Sequence, residues 1–535
     1  MKRRDILKGL TLLPLSGKLL ANGVADHNSG FINSPAGENI FRNIGVEPLI
    51  NCRGTFTIIG GSLERASVRA AMEAASRNFV QYDELADGIG KKLAELTGAP
   101  WGMVSAGCAA GLKHITAACV TGGNPEKLIR IPDLTGMEKT EVIIPVSSRN
   151  VYDHAIRNIG VTIITVANVE ELERSITKKT AMIYMTSEDS GFSLEDIVRV
   201  SKKGNIPVLV DAAAEDLTIP NIHLQKGATV VVYSGGKALC GPQCAGLVLG
   251  DKAILMSAWQ ASSPHHGPGR DNKVGREEML GMVAAVETWV TMDHKAEWKK
   301  WIGWLDTISK KVTSVDGIKA NIHEPTELSN HSPFLVISWD PAEKNLTGEE
   351  VAEELGRTKP RIAVGSGGKN RKEAGTVTSI DITTGQMQPD EVQVVADRIY
   401  ALLSQKRTTK ESSPKAAAGN IGGRWDVAVE FFSSTSKHGF YFEQDGNWIQ
   451  GTHQGDFSVQ ELSGSIDGDL IKLRSVARRP GDHITYLFSG TLTGDTIKGS
   501  IYLGEYRTAN FTATRNKTKG SRERINIPSG PPLAT

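Results

Sequence analysis

Apolar runs of strand length alternate with amphipathic runs of helix length across residues 102–250. The apolar runs, rich in β-branched residues, predict buried strands at 101–105, 142–146, 161–166, 181–186, 206–211 and 229–233. Between them, apolar residues at 85, 89, 93 and 96 mark one helix face that Gly98 ends. Ser193, followed three residues later by Asp196, predicts a capped helix start. Strands that alternate with helices indicate an α/β fold with a mostly parallel sheet and helices on both faces.

The pattern changes twice further along the chain. A helical stretch over residues 277–314 leads into a predicted small α+β domain, and the polar segment 405–419 is typical of a linker. Beyond it, apolar residues alternate with polar ones, as at Trp425, Val427 and Val429, and Asp-Gly pairs mark turns. Residues 463–469 and 489–495 form a short repeat, so we predict an antiparallel β-barrel-like domain. Its Gly423-Arg424-Trp425 start resembles that of lipocalin-like barrels.

Composition limits the classes of partner. The 535 residues are too many for one core, and a formal net charge of +1 provides no general field for nucleic acid. Five cysteines are too few for a disulfide framework. We therefore expect a small-molecule partner, no nucleic acid and no bound metal.

The N-terminus has the pattern of an export signal. Arg3 and Arg4 precede a short, modestly apolar stretch over residues 9–21, which is too short to span a bilayer comfortably. The stretch resembles a Tat signal, and a basic tail is the alternative. We expect export to the periplasm or another extracytoplasmic space, without stable membrane insertion after signal removal. The expected divisions are a signal, a large domain, a small domain, a linker, a barrel and a disordered tail, at 1–30, 39–290, 291–404, 405–419, 420–517 and 518–535.

A lysine and an aspartate carry the chemistry. Lys237 follows a predicted strand that breaks into Ser234 and two glycines, and Asp211 ends an earlier strand 26 residues before it. Ligands bind beyond the carboxyl ends of strands in such sheets, where both residues are expected to lie. Pyridoxal 5'-phosphate (PLP) needs a lysine for its aldehyde and a carboxylate that keeps its pyridine nitrogen protonated. The pair therefore predicts a PLP enzyme.

The cofactor's phosphate also has a candidate site. Residues 105–111 follow a predicted strand, open a helix and are small enough for a phosphate to approach the backbone. The hydroxyl of Ser234 could add to the same site. Tight packing of strand against helix, and a simple turn at Ser234, are the alternatives.

Several segments together resemble one branch of the fold-type I PLP-dependent enzymes. The branch contains the selenocysteine synthase-like proteins and the D-glucosaminate-6-phosphate ammonia-lyases, and the likeness covers residues 39–403. The segments that carry it are 50–55, 60–62, 105–111, 148–149, 211–215, 234–237 with 241–243, and 270–276.

The resemblance implies roles for individual residues. Lys237 would carry PLP and act as the catalytic base, and Asp211 would pair with the pyridine nitrogen. The remaining residues that it implies for the cofactor are Ser105, Ala106, Gly107, Ala213 and Ser234, with Arg149 or His154 near the ring face. Arg270 and Lys273 would face the phosphate or a substrate anion, and Arg361 would bind a substrate carboxylate through its two-pronged guanidinium. Solvated surface positions are the alternative for these three.

The resemblance favours a lyase that eliminates and deaminates a β-hydroxy amino acid or an amino-sugar acid. Racemase, epimerase or aminotransferase chemistry begins in the same way and is the alternative, together with a selenocysteine synthase-like transferase. A ligand-binding protein on a PLP-fold scaffold is the alternative from a different class. This fold type usually builds its site at a subunit boundary, so we expect a homodimer or a higher homo-oligomer.

Overall fold

The computed structural model describes residues 39–187, 191–369, 372–407 and 415–517. The predicted signal and C-terminal tail, and part of the linker, lie outside these ranges. The described residues form three hydrophobic cores. Contacts divide them into two units, of which one holds residues 60–293, 326–331 and the C-terminal domain, and the other holds 39–59, 294–325 and 332–407.

A seven-stranded sheet is the centre of the first unit. Among the described residues the first strand, β1 (Leu49–Asn51), belongs to the second unit. The seven strands of the sheet are β2 (Trp101–Ser105), β3 (Glu141–Pro145), β4 (Thr162–Val166), β5 (Thr180–Thr186), β6 (Val208–Asp211), β7 (Val230–Ser234) and β8 (Gly246–Gly250). Their order is β2-β8-β7-β6-β5-β3-β4. Strands β3 to β7 pair in parallel, which confirms the predicted α/β fold.

Helices connect and cover these strands. They are α1 (Ala66–Ala75), α2 (Tyr82–Thr97), α3 (Cys108–Thr121), α4 (Pro125–Leu128), α5 (His154–Arg157), α6 (Val169–Ser175), α7 (Leu194–Gly204), α8 (Ile222–Gln225), α9 (Lys252–Ala261) and α10 (Arg276–Thr291). Helix α2 ends at Gly98 in the left-handed conformation, and the Ser193 side chain accepts a hydrogen bond from the Asp196 amide at the start of α7. Both predicted helix signals therefore act as expected.

Strand β8 departs from the predicted alternation. It pairs antiparallel with both β7 and β2, because the chain reverses between Ser234 and Gly246 without a crossover helix. A five-residue run bounded by glycines gave no distinct strand signal in the sequence. The consequence is that Gly246 lies beside Ser105 and Ser234, at the end of the sheet where Asp211 also lies.

The second unit has the predicted α+β character. Its further elements are α11 (His294–Val312), β9 (Lys319–His323), β10 (Phe334–Trp339), α12 (Pro341–Lys344), α13 (Gly348–Arg357), β11 (Arg361–Ala363), β12 (Gly365–Gly368), β13 (Thr378–Thr383) and α14 (Glu391–Leu403). Four strands form a sheet in the order β12-β13-β10-β9. Strand β1 pairs in parallel with β11, and Ile50 and Cys52 are buried in this unit's core. Residues 49–52 thus pack with the smaller unit rather than with the large domain expected to begin at residue 39.

The C-terminal domain is a closed antiparallel barrel of eight strands. They are β14 (Gly423–Glu430), β15 (Thr435–Asp445), β16 (Trp448–Gln454), β17 (Val459–Asp467), β18 (Leu470–Arg479), β19 (Asp482–Thr493), β20 (Thr496–Tyr502) and β21 (Thr508–Arg515). Alternate residues such as Trp425, Val427 and Val429 point inward and are buried, as predicted. Within the described ranges no helix is long and apolar enough to cross a membrane.

The barrel interior contains a polar chain among its aromatic residues. Ser475 donates to Gln460 at 2.7 Å, and its oxygen is 3.0 Å from His453 Nδ1. His453 Nε2 is 2.9 Å from His438 Nδ1, which makes His438 the donor if Ser475 accepts from His453. Burial, with a smaller contribution from the nearby His438, lowers the pKa of His453 to about 4. The folded barrel therefore holds His453 neutral.

This burial predicts that acid destabilises the barrel. The unfolded chain binds a proton at the ordinary histidine pKa of 6.5, so the contribution of neutral His453 is complete above pH 6.5 and is lost as the pH falls towards 4. A shift of that size corresponds to at most about 3 kcal/mol. Thermal or urea unfolding of the wild type and His453→Gln between pH 4.5 and 7.5 measures the difference, and the variant should show the smaller loss in acid. The buried His114, whose pKa is also lowered, is present in the wild type and in the variant, so its effect on stability cancels in the difference between them. Parallel pH profiles would contradict the prediction.

Candidate active site

Lys237 and Asp211 lie together at the carboxyl ends of neighbouring strands. Asp211 is the last residue of β6, and Lys237 comes three residues after the end of the adjacent parallel strand β7. The positive charge of Lys237 is near enough to lower the pKa of the Asp211 carboxyl. The structure thus brings together the two residues that the sequence singles out.

The Asp211 carboxylate is buried among three donors. Tyr184 Oη donates to Oδ2 at 3.0 Å, while the Ala213 amide and Cys108 Sγ donate to Oδ1 at 3.1 and 3.4 Å. Burial raises the pKa of Asp211, and the hydrogen bond from Tyr184 is the largest effect that opposes this rise. Three donors leave part of the carboxylate's acceptor capacity unused. A cationic ring nitrogen would use that capacity and offset the cost of burying the charge, so the site fits the pyridine end of PLP.

Close packing explains the two glycines before the lysine. A Cβ atom at Gly235 would lie 2.7 Å from the Ala245 oxygen, and one at Gly236 would lie 2.6 Å from Gln243 Cα. The Gly235 amide also donates to Ala245 O at 2.8 Å. The turn that carries Lys237 is therefore held against the backbone of residues 242–245, which no larger residue pair would permit.

The start of helix α3 fits a phosphate group. Strand β2 ends at Ser105, and α3 begins at Cys108 after Gly107, whose φ of +84° and absence of a side-chain cap leave the first helical amides to other partners. The Ser105 hydroxyl donates to Gly107 O at 2.8 Å, so it shapes this turn. Because Cys108 reaches Asp211, the helix start is next to the carboxylate. The roles of Ser105, Ala106, Gly107 and Ser234 toward a phosphate stay predictions.

Arg149 is held by several partners. Its Nε donates to the buried Asp153 at 2.5 Å, its Nη1 to Thr165 Oγ1 at 3.0 Å and its Nη2 to Pro480 O of the barrel at 3.1 Å. The neighbouring Asn150 donates to the Tyr184 hydroxyl at 3.5 Å. Arg149 is therefore fixed beside the polar group around Asp211, and its predicted place at the ring face stays a prediction.

The predicted substrate-binding residues lie in two places. Arg270 and Lys273 are exposed in the segment before α10, where Arg270 Nη1 donates to Ser263 Oγ at 2.9 Å. Arg361 begins β11 in the second unit, and its buried Nε has no hydrogen-bond partner among the described residues. A buried donor without a partner is costly, so an anionic ligand at Arg361 would be favourable.

The sequence did not predict the roles of Tyr184 and Asn150 or the contact between Cys108 and Asp211. Tyr184 is fully buried within the apolar strand β5. Its hydroxyl donates the hydrogen bond that most lowers the pKa of Asp211. A tyrosine inside an apolar strand could have indicated a polar partner nearby, because a buried phenol hydroxyl usually forms a hydrogen bond. Asn150 and Cys108 gave no such signal.

Comparisons with known proteins agree with this site. No protein-family model matches the chain. It is 29% identical over 336 residues to D-glucosaminate-6-phosphate ammonia lyase of Salmonella typhimurium, covering 59% of this chain and 86% of that protein. It is 27% identical over 380 residues to 5'-C-glycyluridine monooxygenase-decarboxylase of a Streptomyces species, covering 68% and 92%. L-seryl-tRNA(Sec) selenium transferase of Proteus mirabilis is 25% identical over 285 residues, covering 46% and 57%.

A solved structure shares the fold of about two thirds of the chain. The structure of a D-glucosaminate-6-phosphate ammonia-lyase matches with a TM-score of 0.61 and 26% identity, covering 69% of this chain and 99% of that one. The chain therefore has the fold-type I architecture of PLP-dependent enzymes, followed by a closed eight-stranded barrel. It is an enzyme, and its cofactor is PLP.

Removing the Tyr184 hydroxyl tests the environment of Asp211. In Tyr184→Phe the buried carboxylate loses a donor worth about 1.5 kcal/mol or more, so we expect the protein to bind PLP about tenfold more weakly. Titration of the cofactor-free protein with PLP, followed by absorbance, measures the dissociation constant. Tyr233→Phe is the matched control, because Tyr233 is equally buried in β7, two strands away, where its hydroxyl accepts a hydrogen bond from Asn221 at 2.7 Å. Equal affinity in the two variants would contradict the prediction.

Proposed function

We propose that the chain is a PLP-dependent ammonia-lyase that eliminates across the Cα–Cβ bond of a β-hydroxy amino acid or an amino-sugar acid. The observation that carries the proposal is the placement of Lys237 beside the buried Asp211 in a chain similar to an ammonia lyase. The cofactor, when bound, supplies an acceptor for the electrons left at Cα. Its ring would be held by Asp211 and its phosphate by the start of α3.

Lys237 is the base in this proposal. Its Nζ removes the proton from substrate Cα, and the Cβ–oxygen bond then breaks so that the hydroxyl departs as water. Hydrolysis of the remaining unsaturated amine consumes one water and releases ammonia and a 2-keto acid. The reaction needs no oxidant, which distinguishes it from chemistry that involves oxygen.

The second candidate is oxidative decarboxylation at the same carbon. The similarity to the Streptomyces monooxygenase-decarboxylase covers more of this chain than the similarity to the ammonia lyase does. Both reactions begin by breaking a bond at Cα, so the residues around Lys237 and Asp211 would serve either one. Consumption of oxygen and release of carbon dioxide separate decarboxylation from elimination.

Export and assembly complete the proposal. Residues 1–30, which lie outside the described residues, would direct the folded protein through the Tat pathway to the periplasm. A substrate met there would be an unphosphorylated acid in place of the sugar phosphate that the lyase relative's name specifies. The protein would act as a homodimer or a higher homo-oligomer.

Substrate screening with Lys237→Ala tests the reaction. With wild-type protein loaded with PLP we expect β-hydroxy amino acids or amino-sugar acids to yield equal amounts of ammonia and 2-keto acid. Lys237→Ala should be slower by about 10³-fold or more, because it lacks the base. Borohydride should attach the cofactor to the Lys237 peptide only in the wild type. Lys252→Ala is the control, since that lysine stacks on Trp101 at the other end of β8. Exchange at Cα without ammonia would favour racemisation instead.

Arg361 provides a separate test of carboxylate binding. In Arg361→Lys the side chain keeps its charge but loses the two parallel donors, so we expect kcat/KM to fall about 30-fold, mainly through KM. The dissociation constant for PLP should stay within about twofold, because the residue is assigned to the substrate and not to the cofactor. Steady-state kinetics and a PLP titration measure the two effects. A change in PLP affinity with KM unchanged would contradict the assignment.

A further inference from the structure

A turn of the barrel contacts the segment that follows β3. Strands β18 and β19 are joined by Pro480 and Gly481 alone. The Pro480 carbonyl accepts a hydrogen bond from Arg149 Nη2 at 3.1 Å. A Cβ atom added at Gly481 would lie 2.7 Å from Asp153 Oδ2 and 3.0 Å from the Asn150 oxygen. The turn therefore packs directly against residues 149–153.

The residues of this turn differ from those of the other two-residue turns in the barrel. The turns between β15 and β16, β17 and β18, and β19 and β20 begin with a glycine in the left-handed region, at Gly446, Gly468 and Gly494. Here the proline comes first and the glycine, with φ +81°, comes second. Glycine in first place is the pattern of type II′ turns that suit a twisted hairpin, whereas Pro-Gly is that of type II turns. The Pro-Gly sequence is therefore better explained by the contact of this turn with residues 149–153 than by a preference for forming a hairpin.

The contacted segment leads to the carboxylate that holds the cofactor. Asn150, whose backbone oxygen faces Gly481, donates through its side chain to Tyr184 Oη at 3.5 Å and to Ser148 O at 3.1 Å. Tyr184 in turn donates to Asp211 at 3.0 Å. Three successive contacts, Gly481 to Asn150, Asn150 to Tyr184 and Tyr184 to Asp211, thus connect the barrel turn with the carboxylate.

We propose that Pro480 and Gly481 are positioning residues of the active site, which hold residues 149–153 so that Tyr184 stays directed at Asp211. The barrel then completes the support of the cofactor's nitrogen partner. This inference rests on the PLP enzyme of the proposed function, but it does not depend on which substrate is eliminated. Neither Pro480 nor Gly481 is a catalytic residue, because each acts through Asn150 and Arg149.

Matched glycine substitutions test the proposal in the full-length protein. Gly481→Ala places a methyl group against Asp153 and Asn150, whereas Gly494→Ala imposes a similar backbone cost where nothing lies within 4 Å. We expect PLP titration of the cofactor-free protein to give a dissociation constant about tenfold higher for Gly481→Ala and within about twofold of wild type for Gly494→Ala. Equal affinities in the two variants would overturn the proposal. The titration needs no substrate, so failure of the elimination assay is a separate result.

A double-variant cycle tests the route. If the turn acts through Tyr184, adding Gly481→Ala to Tyr184→Phe should change PLP affinity by less than about twofold, because the link to Asp211 is already absent. Additive losses would show that the turn affects only general stability, and the positioning role would be overturned. Should Gly481→Ala fail to fold, Pro480→Gly replaces it in the same cycle, because a second glycine loosens the turn that holds Arg149 without adding an atom beside Asn150.

Discussion

The buried charge of Asp211 is the constraint on which the active site depends. A carboxylate at the end of a central strand is stable only where donors and a positive partner replace the water it has lost. Tyr184, Cys108 and the Ala213 amide supply the donors, from three separate parts of the chain. In the proposed enzyme the bound ring would supply the positive charge, so the affinity for the cofactor and the pKa of this carboxyl would be thermodynamically linked.

The antiparallel strand β8 supports both ends of the proposed cofactor site. Gly246 begins this strand, pairs with both Ser105 and Ser234, and approaches Gly107 so closely that a Cβ atom would lie 2.5 Å from its carbonyl carbon. The start of α3 and the turn that carries Lys237 therefore share one strand as their support. Backbone contacts, and not flexible side chains, therefore fix the spacing between the start of α3 and the turn that carries Lys237.

The spacing of apolar residues, together with the residues that begin or end helices and turns, predicted most of the fold, because these signals act locally. The helix end at Gly98, the cap at Ser193, the parallel strands and the inward residues of the barrel each depend on a few neighbouring residues. Lys237 and Asp211 could be paired because strand ends of a parallel sheet meet at one edge. The roles of Tyr184, Asn150 and the turn at Gly481 could not be predicted, because they depend on contacts between distant segments of the chain. The same holds for the reversal into β8 and for the pairing of β1 with β11.

The closure of the barrel bears on how such a domain can be joined to a catalytic fold. Every strand from β14 to β21 has two hydrogen-bonded neighbours, so the added domain brings no unpaired edge that could recruit strands from other molecules. A module of this kind can be fused to another fold without adding an edge strand that favours aggregation. It also leaves its turns free to change in sequence, and one of them could then acquire a role in the host enzyme while the barrel stayed intact.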